Sequence, residues 1–431
     1  MKKYLDKNVW DATQERLKYI FDNFDNIYVC FSGGKDSGLL LNLCLQEAKL
    51  RNRKIGVFHQ DFEAQFSYTT QYVERMFKNN MDYIEPYWVC LPMGSRCAIS
   101  NYQIYWYTWD DEKENSWVRK MPKDDFIINL KNNPFDFYRY KMPQEELFKE
   151  FKFWYAKQKP GKTICLVAIR TDESLNRYRA IANPRKNIVD GKFWTTKISD
   201  NIAIAHPIYD WSAEDVWIAN YKNDFDYNEL YDLYYKAGLT IDQMRVSSPF
   251  HESAKAGINL YRVIEPEVWG KLLGRVYGVN FAAIYGETKA LGYKEVTLPK
   301  GHTWKSYTKF LLSTLPEEIR KNYVKKFITS LKFWKKKGGV LSEDIINELK
   351  VLGYDIKVDK TTNYRSTKLS VRFDKYPDDI ENSKEFMNIP SWKRMAFCII
   401  KNDHLCKYMG FVQSKYESEK QKELLEKYKN L

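Results

Sequence analysis

Six consecutive residues, Ser32-Gly33-Gly34-Lys35-Asp36-Ser37, form the most chemically specific run in this chain. Two adjacent glycines let a backbone turn so tightly that successive N–H groups converge on one point. Hydroxyls on either side add donors, and a helix starting there adds partial positive charge. Such a constellation binds phosphate. The run lacks the Gly-x-x-x-x-Gly-Lys-Ser/Thr spacing of the loop that supports cleavage between the β- and γ-phosphates, which excludes an ordinary P-loop ATPase. An unadorned turn between strand and helix is the plainer alternative for the two glycines.

Two further sites join it. Arg170 stands at the end of the apolar run 164–169 (ICLVAI), where α/β sheets receive ligands, and a guanidinium grips phosphate through two parallel hydrogen bonds. Asp172 and Glu173 behind it suit either the site or the first turn of the next helix. Asp61, in Phe58-His59-Gln60-Asp61-Phe62-Glu63, is a candidate contact for a ribose or a metal ion, with Glu63 beside it. Exposed loop carboxylates are the alternative.

The surrounding pattern supplies the frame. Apolar runs at 27–31 (IYVCF), 54–59 (KIGVFH), 83–92, 164–169 and 202–208 alternate with helical spacings such as Val9, Thr13, Leu17, Ile20, Phe21 and Phe24. This alternation predicts an α/β fold, a parallel sheet with helices on both faces, over 1–225. An aromatic-rich insertion at about 93–160 suits a lid, a substrate wall or a small packed subdomain. Residues 226–337 read as a helical basic region, and 338–431, after Gly338-Gly339, as a small α+β region.

The 431 residues carry a net charge of +13, unevenly spread: 27 of 69 Lys and Arg but only 17 of 56 Asp and Glu fall after residue 300. The stretch from Arg320 to Lys337 (RKNYVKKFITSLKFWKKK) has eight cations and no acid, with Tyr323, Phe327, Leu331 and Trp334 on one helical face. It could follow a nucleic-acid backbone or present solvated lysines over a packed stripe. No apolar run approaches the roughly 18 residues of a membrane helix, and the start has no apolar signal core, so a cytoplasmic protein with no membrane association is expected. Seven Cys without a Cys-x-x-Cys pair argue against disulfide or metal cages. His302 is a lone candidate base or phosphate ligand.

The string at 32–37 resembles the PP-loop of the ATP pyrophosphatase superfamily, whose members hold pyrophosphate there and react at the α-phosphate of ATP or bind a related adenylyl nucleotide. Ala168-Ile169-Arg170-Thr171-Asp172-Glu173-Ser174 with Arg177, and the stretch from His206 to Trp217 (HPIYDWSAEDVW), are similar to elements of the adenylyl-sulfate branch, which includes phosphoadenylyl-sulfate (PAPS) reductases. Segments 274–293, 298–316 and 389–411 resemble the PAPS reductase-like subfamily with a DUF3440 region, similar to immunoglobulin-binding regulator A of enterobacteria. The resemblance implies a Rossmann-like, adenine nucleotide alpha hydrolase-like fold and a ParB/sulfiredoxin-like protein partner.

It also implies roles. Ser32, Gly33, Gly34, Asp36 and Ser37 would hold the leaving pyrophosphate, Lys35 and Arg170 would neutralise developing charge, Arg177 would touch the nucleotide, and Asp36 or Asp61 would place Mg²⁺. The expected reaction joins ATP or an adenylyl nucleotide at its α-phosphate and releases pyrophosphate. Two alternatives stand beside it: a thiol-dependent PAPS reductase, and a nucleotide-sensing, DNA-associated regulator acting with the ParB-like partner. The Glu-Cys-Gly-Leu-His element of PAPS reductases is absent, and Met244-Arg245-Val246-Ser247-Ser248-Pro249 stands where relatives often carry cysteines. Cys398 or Cys406 could supply a thiol in principle, with His404 as the nearby base, but core or surface cysteine is the preferred reading of both.

Overall fold

The run after the first amphipathic helix, α1 (Val9–Asn23), becomes a strand because every one of its side chains finds apolar cover. In β1 (Asn26–Cys30), Ile27 and Val29 join one core while Tyr28 and Cys30 join another, the period-two alternation of a strand buried on both faces. The computed structural model describes residues 6–251, 257–280, 282, 297–359, 369–380, 389–411 and 426. Residues 281 and 283–293 of the family-like segment 274–293, and Lys368 of the strand-like run 368–373, lie outside the described residues.

The strands continue as β2 (Ile55–Gln60), β3 (Ile84–Val89), β4 (Met93–Arg96), β5 (Tyr105–Thr108), β6 (Ile127–Ile128), β7 (Thr163–Leu166), β8 (Thr195–Lys197) and β9 (Ile202–Ala205). Seven of them form one sheet in the order β6-β3-β2-β1-β7-β9-β8, parallel except for β8, which runs against β9. β4 and β5 form a separate antiparallel hairpin. The chain winds outward from β1 to one edge, then returns to the other side at β7. The order therefore reverses between β1 and β7, and the C-terminal ends of those two strands border the crevice where doubly wound sheets take ligands.

Helices α1, α2 (Lys35–Leu50) and α3 (Ser67–Lys78) fill one face with Leu17, Leu40, Leu43, Val73 and Phe77. The other face is covered by α4 (Gln144–Gln158), whose Phe151 and Tyr155 pack on Tyr28 and Phe58. This revises the lid reading of 93–160: β6 belongs to the main sheet and α4 is the sheet's own second layer. Both bury apolar surface that would otherwise face water.

After α5 (Leu175–Ala182) and α6 (Ala213–Lys222) come α7 (Leu230–Lys236), α8 (Leu260–Ile264) and α9 (Pro266–Arg275). Their Tyr231, Tyr234, Tyr261 and Leu272 share a core with Phe66, Trp106 and Val118, so apolar packing continues across residue 225. Glu265 also supplies what α3 lacks. No side chain of its own caps that helix, and the Glu265 carboxylate accepts from Ser67 N at 3.0 Å and Ser67 Oγ at 2.6 Å.

Further along, α10 (Trp304–Thr314) and α11 (Glu317–Lys336) precede β10 (Gly339–Leu341), α12 (Glu343–Val351), β11 (Ile356–Asp359) and β12 (Leu369–Phe373). The last three strands form an antiparallel sheet in the order β10-β12-β11, backed by Ile346 and Leu349 of α12. Helix α13 (Trp392–Ile400) returns to α10 and α11 and buries Met395 and Cys398 against Tyr323 and Phe327. Among the described residues no helix is long and apolar enough to cross a membrane.

One buried ion pair ties these layers together. Glu63, fully buried and in the left-handed region at φ 59, accepts from Trp109 N at 2.8 Å and Val118 N at 3.0 Å. Arg275 of α9 grips it with two bonds of 2.8 and 2.9 Å. Losing one partner leaves an uncompensated charge in the interior. Arg275→Met is expected to cost about 3–5 kcal/mol, and the double variant Glu63→Gln/Arg275→Met less than the single one, both read from urea unfolding by tryptophan fluorescence.

His206 gives a pH signature. Its Nδ1 donates to Val167 O at 3.1 Å, and burial pushes its pKa down to about 4. Since the unfolded chain takes up this proton near pH 6.5 and the folded one only near 4, stability is expected to fall as pH drops through that window. Chemical unfolding between pH 7 and 4 should show this slope, and His206→Asn should flatten it.

Candidate nucleotide site

A cavity of about 790 Å³ opens above the C-terminal ends of β1 and β7. Its floor is the loop 32–37. Gly33 adopts φ +76, and an added Cβ would lie 2.8 Å from Thr69 Cγ2, so both conformation and space demand glycine. Gly33 does not touch the cavity; its carbonyl accepts from Asn228 Nδ2 at 2.9 Å, which pins the turn from behind. Gly34 caps α2 without a side chain and reaches the cavity wall. Ser32 Oγ and Ser37 Oγ lie 3.0 Å apart, and Ser37 Oγ donates to Gly34 O at 3.0 Å. The α2 N-terminus thus faces the cavity with its partial positive charge.

Two amides of the loop expected to face an anion are taken: Ser32 N donates to Ser37 Oγ at 3.2 Å, and Lys35 N is paired as well. Lys35 N donates to Tyr231 Oη at 3.0 Å; burial first, and Asp36 next, push the Tyr231 phenol well up, so it stays protonated. Sequence reasoning missed Tyr231 and Asn228 because they lie almost 200 residues from the loop, and no local signal marks them.

The charged side chains form a continuous ladder. Lys35 Nζ lies 3.0 Å from Asp36 Oδ2, and Arg170 Nε donates to Asp36 Oδ1 at 2.6 Å. Arg170 also reaches Glu173 at 3.8 Å, and Glu173 pairs with Arg177 at the more exposed rim. Lys35 is 7% exposed and Arg170 4%. The ladder holds three cations and two carboxylates, and the cavity lining adds Arg245 together with Asp172, Glu214 and Asp242, so the cations lie at the floor and rim among carboxylates rather than in a positive cavity. Arg170 is held by Trp211 O at 3.3 Å, and Trp211 in turn donates Nε1 to Thr13 Oγ1 at 2.8 Å. Ser212 and Asp215 form the capping box of α6. The 206–217 stretch therefore braces Arg170 through Trp211 and also lines the cavity with Ala213 and Glu214.

Asp61 is corrected by the structure. Phe58, Gln60 and Phe62 line the cavity, while the alternate residues His59, Asp61 and Glu63 point into the protein. Asp61 is 0% exposed, accepts from Trp88 Nε1 and Glu63 N at 2.8 Å each, and pairs with Arg119. Burial would raise its carboxyl, but Arg119 and His59 outweigh burial and hold it below the ordinary value. It has no face left for ribose or metal. Gln60 is the polar residue of this stretch on the cavity wall, between Phe58 and Phe62.

Cys398 and Cys406 are likewise away from the site. Both are fully buried in the α11–α13 core, and burial drives the Cys398 thiol well up. His404, also buried there, contacts Ser100 O at 3.1 Å. Among the seven thiols only Cys30, half-buried, lies on the cavity wall, with Cys165 Sγ at 3.5 Å behind it.

The family model described as phosphoadenosine phosphosulfate reductase domain matches residues 26–237, and the domain of unknown function DUF3440 matches 238–420. The Escherichia coli K12 protein YbdN is 33% identical over 418 residues, covering 95% of this chain and 91% of its own. The chain belongs to the DUF3440-bearing PAPS reductase-domain family. Solved structures with a distant likeness include PAPS reductase from Candida auris in a phosphate complex, at 14% identity, covering 54% of this chain and 93% of that one with a TM-score of 0.28. Another is FMN adenylyltransferase from Candida glabrata with FAD and inorganic pyrophosphate, at 14% identity, covering 52% and 58% with a TM-score of 0.29. The family assignment does not rest on either.

In this PAPS reductase-domain protein the cavity is not built by the first segment alone. Asp242, Arg245, Ser247 and His251, all within the DUF3440 match, form the wall facing the PP-loop-like floor. The two family segments thus share one ligand space. Gly33→Ala is expected to cost about 2 kcal/mol or more through positive φ and the Thr69 contact. Gly34→Ala, at φ −88 with its nearest neighbour 3.4 Å away, is expected to cost less than about 1 kcal/mol. Paired thermal melts of the two variants check this.

Proposed function

We propose that this PAPS reductase-domain protein binds ATP or a related adenylyl nucleotide and reacts at its α-phosphate, releasing pyrophosphate. One observation carries the reading: Lys35, Asp36 and Arg170 converge on the glycine-turned floor of the cavity at the sheet's switch point. A diphosphate tail would lie over Gly34 and the first turn of α2, accept from Ser32 and Ser37, and draw Lys35 and Arg170 from Asp36. Charge that develops on the departing pyrophosphate then meets preset cations rather than reorganising water. Phe58, Phe148 and Val167 give the same cavity an apolar side suited to a base.

Mg²⁺ fits this chain in a limited way. Among the described residues no group of three or more His, Cys, Asp or Glu could hold a metal by itself. Magnesium commonly uses one or two carboxylates together with substrate phosphates, and Asp36 is the carboxylate the floor offers. Bound so, the ion would neutralise phosphate charge. Asp61 is not part of this proposal.

The PAPS reductase alternative loses its proposed thiols to the α11–α13 core. The regulator alternative, with a ParB/sulfiredoxin-like partner, is favoured by one feature, the basic outer face of α11. Incubation with α-labelled ATP and Mg²⁺ is expected to give labelled AMP or an AMP adduct together with pyrophosphate. Arg170→Ala should lower that turnover about 100-fold or more while weakening nucleotide affinity far less. Absence of nucleotide affinity by calorimetry would overturn the proposal. Sulfite release from PAPS that disappears in Cys30→Ser would favour reduction instead.

A further inference from the structure

The helix α11 divides its side chains sharply. Ile319, Tyr323, Phe327 and Ser330 are buried against the C-terminal core. On the opposite side, at 100° per residue, Lys321, Lys325, Lys332 and Lys336 fall within an arc of about 60°. All four are exposed. From Lys321 onward this arc contains no acid, although exposed Glu318 lies on it just before Lys321; Ile328 and Thr329, both uncharged, flank it by about 20° on either side. Lys321 pairs with Glu317 one turn earlier, whereas Lys325, Lys332 and Lys336 form no ion pair among the described residues. A groove of about 620 Å³ runs beside Lys321, Lys325, Ile328 and Lys332.

Unpaired like charges along one straight edge repel each other and are stabilised by an anion of matching length. From Lys321 to Lys336 the helix rises about 22 Å, a distance along which a nucleic-acid duplex presents about 13 phosphate charges. Lysines are point charges without the fork that reads base edges, and the arc has no aromatic ring on which an unpaired base could stack. We infer that the outer face of α11 is a binding site for duplex nucleic acid, held through its phosphates and without sequence preference. This inference is independent of the reaction proposed for the cavity.

Fluorescence anisotropy with a labelled 20-base-pair duplex of arbitrary sequence, as DNA and as RNA, tests it on the full chain. Four phosphate contacts should give a slope of log affinity against log salt of about −3 to −4. The variant Lys325→Glu/Lys332→Glu/Lys336→Glu should lose at least tenfold in affinity and flatten the slope by two or more. A charge-matched control, Lys18→Glu/Lys49→Glu/Lys54→Glu on the nucleotide domain, should keep binding near the original level. Circular dichroism of the α11 variant should be unchanged, because no core residue is altered. A preference for DNA or for RNA would identify which duplex occupies the face. Equal loss in the control, tighter binding of the single strand, or binding only to phosphatidylserine vesicles would each overturn the inference.

Discussion

Asp36 sets the charge balance of the candidate site. Lys35 and Arg170 are too deeply buried to remain as bare cations, and the carboxylate between them takes one on each oxygen. A buried charge without a partner is far costlier than one that is paired and hydrogen-bonded. This arrangement keeps both cations in place and leaves them exchangeable. A ligand with phosphates can replace one carboxylate as their partner without bringing new positive charge into the cavity. Preorganisation here means that the protein has already ordered and desolvated the groups that would meet developing negative charge.

Around that centre the fold builds support from distant parts of the chain. Tyr231 and Asn228 fix the glycine turn from one side, and Trp211 fixes Arg170 from the other. Glu63 fastens the aromatic hairpin region and α9 to the end of β2, so the DUF3440 segment is held where its Arg245 and His251 can face the loop. The family division at 237/238 therefore crosses a shared cavity and a shared apolar core. Each segment completes the other's site.

Much of this was legible in local spacing. The strand-loop-helix unit at 26–50, the position of Arg170 after a strand, and the capping box at Ser212 follow from short-range patterns with one physical solution each. Residues 58–63 were less readable. Asp61 and Glu63 look suitable for a site, but they lie in the turn just past β2, and their direction is set by partners from distant parts of the chain: Trp88 and Arg119 for Asp61, Trp109, Val118 and Arg275 for Glu63. The 93–160 stretch left lid, wall and packed subdomain open because aromatic density looks the same in each: Phe135, Phe151 and Trp154 cover the sheet, while Trp106 packs with Phe250 in the core shared with α7–α9.

By itself the amino-acid sequence determined which groups the floor contains: adjacent glycines, hydroxyls and a lysine at a helix start are donors suited to an anion, although Tyr231 claims one of their amides. It also determined the alternation of strands and helices, because periodicity is a local property. Only the tertiary structure decided which charges meet. Asp36 and Arg170 are 134 residues apart and become partners because the sheet places β7 beside β1. Asp61 is withdrawn from the cavity by Arg119 and Trp88, which reach it from other elements. Side-chain pairing across strands depends on order and register, and those are fixed by which apolar faces can be buried together.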